Sequence, residues 1–521
     1  MRIGEYLQGS WRLLCGTALA CCVSVTGPAA AQSDANLMVG VTKLSRHLDP
    51  MGIMANVNWR VSQNMLETLI GYDYHTGELK PGLATTWQRV SPTTLEMTLR
   101  EGVTCHNGEP FNAEDVEIMF GPERFQGEDA PGYLEARAQL GVIKEVKALD
   151  THNLRFETAY PDPLLELRLA NYMSEVPCAD AYRAVGNWEK WGQAVVGTGP
   201  YKLVEARPGE LQRFERFDGY WGEPAPVASF TLKVVPETGA RIAGLLAGEF
   251  HIVTEIAPDQ FETLEKNGNT EIVGGAIQNI RSLIYDTRNP VLSDPRIRRA
   301  LSLAIDRDVI VESIFDGKTS VPNGFQMKAF GDMYIEDFKP VTYNPDLARK
   351  LMKQAGYNGE EIKYWYLTDY YTGEVTIAQI LQQMWKEVGF NITLELKEGW
   401  SQIRAADGDG VRGITNTSNN AVYPDPIGQL YRNYGPDGFF VVKGYWSNHR
   451  FLDWSKGLLS LDHETRRIAH RHMLEAWEHN PAGTHLYNLP MFYGKQTSVE
   501  WVPTNTPFMD FRASGLRVSS N

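Results

Sequence analysis

The chain has 521 residues, 43% hydrophobic and 22% charged, which is globular composition and too long for one simple core, so two or three domains are expected. Its formal charge is −14, from 64 acidic and 50 basic residues. That balance argues against nucleic acid and anionic membrane surfaces, which need a basic footprint, and the dispersed acidic residues read as a solubilising surface.

Arg2 and Arg12 precede an apolar run from Leu13 through Val25, and Ala29, Ala30 and Ala31 offer a small-residue cleavage site. This is the pattern of a secretory signal peptide over residues 1–31, with a mature chain from Gln32 and a periplasmic destination. "ALAC" ending at Cys21 matches the lipid-attachment pattern poorly. No later segment approaches about 20 apolar residues, so no membrane insertion is expected. Cys15, Cys21 and Cys22 leave with the signal, and Cys105 and Cys178 remain. An exported compartment permits a disulfide between them, but sequence leaves open whether they meet.

Strand-like and helix-like pieces alternate along the mature chain, which indicates an α/β fold. In "SDPRIRRALSLAIDRDVIVESIF", Asp294 caps a helix, Pro295 fits its first turn, and Ile297, Ala300, Leu301, Ala304 and Ile305 share one face. Arg296, Arg298 and Arg299 read as a solvated face. In "YNPDLARKLMKQAGY", Asn344 caps, Pro345 opens and Gly356 ends the next helix. From Ile362 to Leu396 the order is strand, helix, strand, a crossover that makes the two strands parallel. Ligands of such sheets bind outside the carboxyl ends of the strands. The chain then enters "ITNTSNNAVYPDPIGQLY" (414–431), which has neither helical period nor strand alternation before Ile427 and reads as a polar loop near a ligand.

Several motifs occur in order along the mature chain: "LDP" (48–50), "NMLETLIGYDYHTGELKPGLATTW" (64–87), "LREGVTCHNGEPFNAEDV" (99–116), "VVGTGPYKL" (195–203), "YWG" (220–222) and "LLAGEFHI" (245–252). "DPRIRRALSLAIDRDVI" and "NPDLARKLMKQAGY" complete the set. With these motifs the chain resembles the extracytoplasmic solute-binding proteins of ABC importers, in the large subgroup that takes oligopeptides, dipeptides, nickel, oligosaccharides and opines. The resemblance implies the two-lobe periplasmic-binding-protein fold, with an extra subdomain (about 87–196) in the first lobe. It places lobe 1 at 32–280, lobe 2 at 281–487 and a return to lobe 1 at 488–521. Two hinge crossings are expected, near 278–285 and near 487–490. It also implies a small-molecule ligand, a membrane permease as partner, a monomer and no cofactor. Gly197, Gly199 and Pro200 read as a backbone turn, since "GTGP" lacks the spacing of a phosphate loop.

Catalytic signatures are weak. There is no G-x-S-x-G elbow, H-E-x-x-H helix or P-loop. On a helix, His463 and His470 lie two turns apart and His472 points elsewhere, which does not suit one metal ion. Asp407–Gly410 lacks the closing Glu of a calcium loop.

In peptide-binding relatives an Asp near the start of the corresponding loop pairs with the peptide ammonium, and here that position falls on Val422. Neutral amides instead suit a hydroxyl-rich solute, because Asn both donates and accepts, and rings nearby cover the apolar face of a sugar. The expected solute is therefore an opine-type sugar or sugar-phosphodiester conjugate, or an oligosaccharide. An oligopeptide is the alternative, and a periplasmic hydrolase on this scaffold is the second alternative. Candidate ligand-binding residues are Asn416, Ser418, Asn419, Asn420 and Tyr423 of the loop, Asp425 in its turn, and Trp400, Trp59 and Tyr133 as rings. Asn279, Arg281 and Ser282 join them from the hinge, where Arg281 offers a fork to an anion or an ion pair between the lobes.

Overall fold

The computed structural model describes residues 33–51, 56–125, 133–368, 370–399, 402–403 and 413–518. The signal-peptide reading and Asp407–Gly410 lie outside them. Among the described residues no helix is long and apolar enough to cross a membrane.

In chain order the strands that position the site are β1 (Ser33–Val41), β2 (Ala84–Ser91), β3 (Thr94–Leu99), β4 (Ile143–Ala148) and β5 (Asn153–Thr158). They continue as β6 (Tyr201–Arg207), β7 (Leu211–Arg216), β8 (Val227–Val234), β9 (Ile252–Val253) and β10 (Thr270–Tyr285). The last four are β11 (Glu361–Leu367), β12 (Asn391–Lys397), β13 (Ile414–Asn420) and β14 (Gly483–Gln496). Ten of them form one mixed sheet in the order β6-β7-β8-β1-β9-β14-β10-β13-β11-β12. The remaining four make a separate antiparallel sheet, β2-β3-β5-β4, spanning Ala84 to Thr158.

The long strands β10 and β14 join the two ends of the large sheet. One half of their antiparallel ribbon, from Thr270↔Gln496 to Ala276↔Pro490, runs beside β9, which pairs with β1. The other half, from Ile280↔Asn488 to Ile284↔Gly483, runs beside β13, which pairs with β11. Between Ala276 and Ile280 the ladder shifts register. There Gln278 donates its N–H to Asn505 O at 2.7 Å and accepts from Ala421 N at 2.9 Å, so its backbone stays satisfied by loops from both sides.

The helices that matter below are α1 (Asn56–Met65), α2 (Pro295–Leu303), α3 (Arg307–Phe315), α4 (Pro345–Ala355), α5 (Glu374–Val388) and α6 (His463–His479). The Asp294 side chain caps α2 by accepting from Arg296 N. The Asn344 side chain caps α4, which ends at Gly356 in the left-handed region, φ 77°. The long pattern from Asp294 to Phe315 divides into α2 and α3 at Ala304–Asp306. β11, α5 and β12 form the expected parallel crossover, in register from Glu361↔Asn391 to Leu367↔Lys397. Arg298 departs from the solvated-face reading. It is buried and donates to the carbonyls of Pro481 (2.8 Å) and Ser293 (2.9 Å), groups no backbone ladder satisfies.

The motifs quoted from distant parts of the chain converge. Glu67 accepts from Trp221 Nε1 (2.6 Å), Tyr220 Oη (2.8 Å) and Thr198 Oγ1 (3.0 Å). Gly199 donates to Met65 O, and a side chain there would meet that oxygen at 2.7 Å, so only glycine fits the crossing. Cys105 and Cys178 form a disulfide with Cα atoms 6.3 Å apart, tying the turn after β3 to the start of the Ala179–Val185 helix.

The disulfide closes a loop of 73 residues, so Cys105→Ala/Cys178→Ala should lose about 4 kcal/mol of stability in a urea titration, and reductant should lower the wild-type midpoint but not the variant's. Burial, partly offset by the hydrogen bonds from Trp221, Tyr220 and Thr198, raises the Glu67 pKa to about 7. The folded state therefore holds this proton more tightly than the unfolded chain. The resulting stabilisation is complete below the ordinary carboxyl pKa and is lost as pH rises through about 7. Glu67→Gln should flatten the fall in stability across that window, measured as the denaturation midpoint against pH.

Candidate ligand site

The carboxyl-end rule locates more of the site than the polar loop alone. Three segments that leave strands at their carboxyl ends meet around one cavity: Thr42 and Lys43 after β1, Glu255 after β9, and Tyr370–Thr372 after β11. Asn56, Val57 and Arg60 of α1 and Leu489–Met491 of β14 complete its wall. Glu255 has φ 53°, a left-handed conformation that is unfavourable for a residue with a Cβ. Buried Arg241 holds that turn by donating to Thr254 O (3.1 Å) and Glu255 O (3.3 Å).

The polar segment 414–420 is strand β13, not a loop. It lacks hydrophobic alternation because both of its faces are covered by protein and both carry polar side chains. Opposite partners in an antiparallel pair share a face. Asn279↔Asn420, Arg281↔Ser418 and Leu283↔Asn416 therefore lie on one face, and Ile280↔Asn419 and Ser282↔Thr417 on the other. The structure thus separates the sequence candidates into two sets.

On the first face, Asn279 donates to Ser418 Oγ (3.0 Å), and Asn420 donates to Asn56 Oδ1 (3.0 Å), joining the wall to α1. Asn416 donates to Glu374 Oε1 at 2.9 Å. The Oδ1 atoms of Asn279, Asn416 and Asn420 are buried without a hydrogen-bond partner among the described residues. On the second face, Asn419 Oδ1 accepts from Asn433 Nδ2 and Tyr434 Oη, both at 3.2 Å, and the Ser282 hydroxyl donates to Ile280 O at 3.3 Å.

Arg281 is not a free fork. Its Nη2 donates to both oxygens of Glu374 at 2.6 and 2.7 Å, its Nη1 to the carbonyls of Ser282 and Thr417, and both partners of the ion pair have fully buried side chains. Burial opposes the guanidinium charge and Glu374 outweighs it, so the pKa lies above its ordinary value. The charge centre of Arg281 sits 4.3 Å from the Tyr371 ring centroid, which fixes that ring at the cavity.

Asp425 is likewise engaged. It pairs with Arg466 Nη2 at 2.6 Å and accepts from Ile427 N at 2.8 Å, fastening the turn to α6, and burial raises its pKa despite Arg466. Trp59 is buried and stacked on Tyr172 with centroids 5.0 Å apart. Tyr423 is also buried, with Arg168 5.7 Å from its ring centroid. Tyr133 opens the Tyr133–Leu140 helix, its side chain lies outside the described residues, and so does Trp400. His470, considered for metal, is buried with Nδ1 on Met333 O (2.8 Å), and burial lowers its pKa to about 4.

Sequence reasoning missed Lys43, Asn56, Arg60, Glu255, Tyr371 and Glu374. The positions after β1, β9 and β11 were open to the same carboxyl-end rule, while Arg60 and Glu374 carry no local signal. Replacing Glu374 with Gln would leave a buried guanidinium without its charge partner. A loss of about 3–5 kcal/mol in urea unfolding is expected for Glu374→Gln, with much of it recovered in Arg281→Met/Glu374→Leu.

The family model of the bacterial extracellular solute-binding proteins, family 5 Middle, matches residues 78–440. The chain is 27% identical over 368 residues to the dipeptide-binding protein of Escherichia coli strain K12, covering 66% of this chain and 68% of that one. The fold is that of the periplasmic binding protein DppA from Helicobacter pylori in complex with the peptide STSA, with TM-score 0.84, 21% identity and coverage of 94% and 99%. It is also that of AgaA in complex with agropinic acid from A. tumefacien R10, with TM-score 0.81, 20% identity and coverage of 94% and 99%. The chain, a mixed α/β protein with the periplasmic-binding-protein fold, belongs to the family 5 bacterial extracellular solute-binding proteins, solute-binding components of ABC transporters.

Proposed function

We propose that this protein is an exported, periplasmic receptor that captures a short peptide and delivers it to the membrane permease of an importer. Lobe 1 (32–280 and 488–521) and lobe 2 (281–487) close on the solute by bending about the β10–β14 ribbon. The observation that carries the ligand class is the likeness to dipeptide-binding and peptide-complexed proteins, and the buried acceptors Asn279 Oδ1, Asn416 Oδ1 and Asn420 Oδ1, which have no donor among the described residues, are compatible with it. A buried acceptor left unpaired costs about 1–3 kcal/mol, and peptide N–H groups supply the missing donors. The dipeptide-binding and peptide-complexed relatives support the same class. They weigh against the oligosaccharide expectation, which rested on the amides, the nearby rings and Val422 in place of a carboxylate.

An opine-type conjugate is the second reading, favoured by one observation. Val422 occupies the position of the ammonium-binding Asp, and the Asp425 carboxylate is committed to Arg466. A free α-amino group thus finds no carboxylate on this turn, and AgaA, of the same fold, is in complex with agropinic acid.

Native mass spectrometry of freshly purified protein, followed by release of bound solute, separates the readings. A series of peptide masses is expected. A single non-peptide mass would transfer the assignment to the opine reading, and a solute converted during incubation would favour a hydrolase. Asn420→Ala should weaken binding of the identified solute by about tenfold in calorimetry, the effect of losing one well-placed polar contact in a closed site. Unchanged affinity would remove β13 from the site.

A further inference from the structure

A second cavity, of about 490 Å³, lies at the register shift of the β10–β14 ribbon. That volume is in the range that holds small molecules, about 300–1,000 Å³. Its walls come from three places: Ala276–Gln278 and Asn488 of the ribbon, the chain between α3 and α4 around Ser320–Ala329, and Asn505 beyond β14. It shares no residue with the cavity at α1. Side chains alternate along a strand, so Gln278 lies on the face of Ile280 and Ser282. It therefore turns away from the face that carries Asn279 and Arg281. Asn488, opposite Ile280, donates Nδ2 to Ser320 Oγ at 2.9 Å and holds the chain between α3 and α4 against the ribbon.

Most polar groups around this cavity are committed. Gln326 donates Nε2 to Asn323 O and Ile335 O, both at 2.9 Å, and accepts from Ile335 N at 2.8 Å. Gln278 is the exception. It is 7% exposed, its backbone is bonded to Asn505 and Ala421, and its side-chain amide has no hydrogen-bond partner among the described residues. The amide is not enclosed by protein and opens on the cavity it lines. A buried amide left without partners is costly, and another amide satisfies it best, because each supplies one donor beside one acceptor. Val321, Pro322 and Met327 add an aliphatic wall. No carboxylate lines the cavity among the described residues, and its one charge, Lys328, is on an exposed residue. A charged solute would lose hydration inside without gaining a partner, so the fitting solute is neutral.

We propose that this cavity is a second solute site, for a neutral aliphatic carboxamide, and that its occupant biases the angle between the lobes. The site is independent of the peptide reading. The bias rests on the lobes of the proposed function. Ala276–Gln278 and Asn505 belong to lobe 1 and Ser320–Ala329 to lobe 2, so a solute that touches both binds one angle better than another.

Calorimetry of the mature protein with N-acetyl-leucinamide, a neutral probe with amides and an aliphatic chain, tests the site. The wild type should bind it with a Kd on the order of 1 mM. Gln278→Leu removes the amide, and Ala329→Trp fills the cavity from an exposed position. Each should weaken binding by about tenfold or more. No binding to the wild type overturns the site, and so does binding retained in either variant. Small-angle X-ray scattering tests the bias. Saturating probe should shift the radius of gyration of the wild type and leave that of Ala329→Trp unmoved. An unmoved wild type, or an equal shift in both, overturns the bias. Neither measurement uses a peptide, so failure of the peptide reading and failure of this site are separate results.

Discussion

The antiparallel ribbon of β10 and β14 is the constraint on which the candidate ligand site depends. Each strand is long enough, 16 and 14 residues, to serve both ends of the ten-stranded sheet. Because side chains alternate along a strand, the register of β13 on β10 decides which groups of β13 share a face with Arg281 and which turn away. The register shift between Ala276 and Ile280 interrupts the ladder where the two ends meet, and Gln278 compensates by bonding one loop from each side.

On this ribbon the buried Arg281–Glu374 pair acts as a positioning device. It links a strand of the ribbon to the first residue of α5, draws Asn416 into the same network and presents its guanidinium face to Tyr371. The desolvation cost of burying both charges is offset by the close geometry and by the Ser282 and Thr417 carbonyls, so the arrangement specifies side-chain placement more than it adds stability. Arg60 is less fully engaged. Its Nη2 pairs with Glu255, and its Nε and Nη1 are buried without a partner among the described residues, whereas only Nε of Arg281 lacks one.

Much of the architecture was legible in the sequence. Asp294, Asn344, Pro345 and Gly356 mark helix ends through local backbone chemistry, and the structure has those ends where the residues put them. The crossover from Ile362 to Leu396 was legible because two period-2 stretches flank a period-3.6 stretch of adequate length. The segment 414–420 was not, because strand recognition relies on one apolar face, and here Asn416, Ser418 and Asn420 on one side and Thr417 and Asn419 on the other are all polar. Arg298 was misread for a related reason. An arginine that satisfies buried carbonyls has the same sequence signature as one in water.

By itself, the sequence determined the fold class, two capped helical stretches and the 362–396 crossover, because caps, periodicities and turn residues act over a few neighbouring positions, and its ordered motifs carried the family. It also supplied the polar character of segment 414–420. Only the tertiary structure decided which of those polar groups share a face, that Arg281 and Asp425 are committed to Glu374 and Arg466, and that Lys43, Arg60 and Glu255 surround one cavity. Those three residues come from β1's end, α1 and β9's end, segments separated by up to 212 positions, and no local rule joins them. Whether a charge is paired or free depends on what the sheet brings within hydrogen-bond reach, and that is a property of strand order and register.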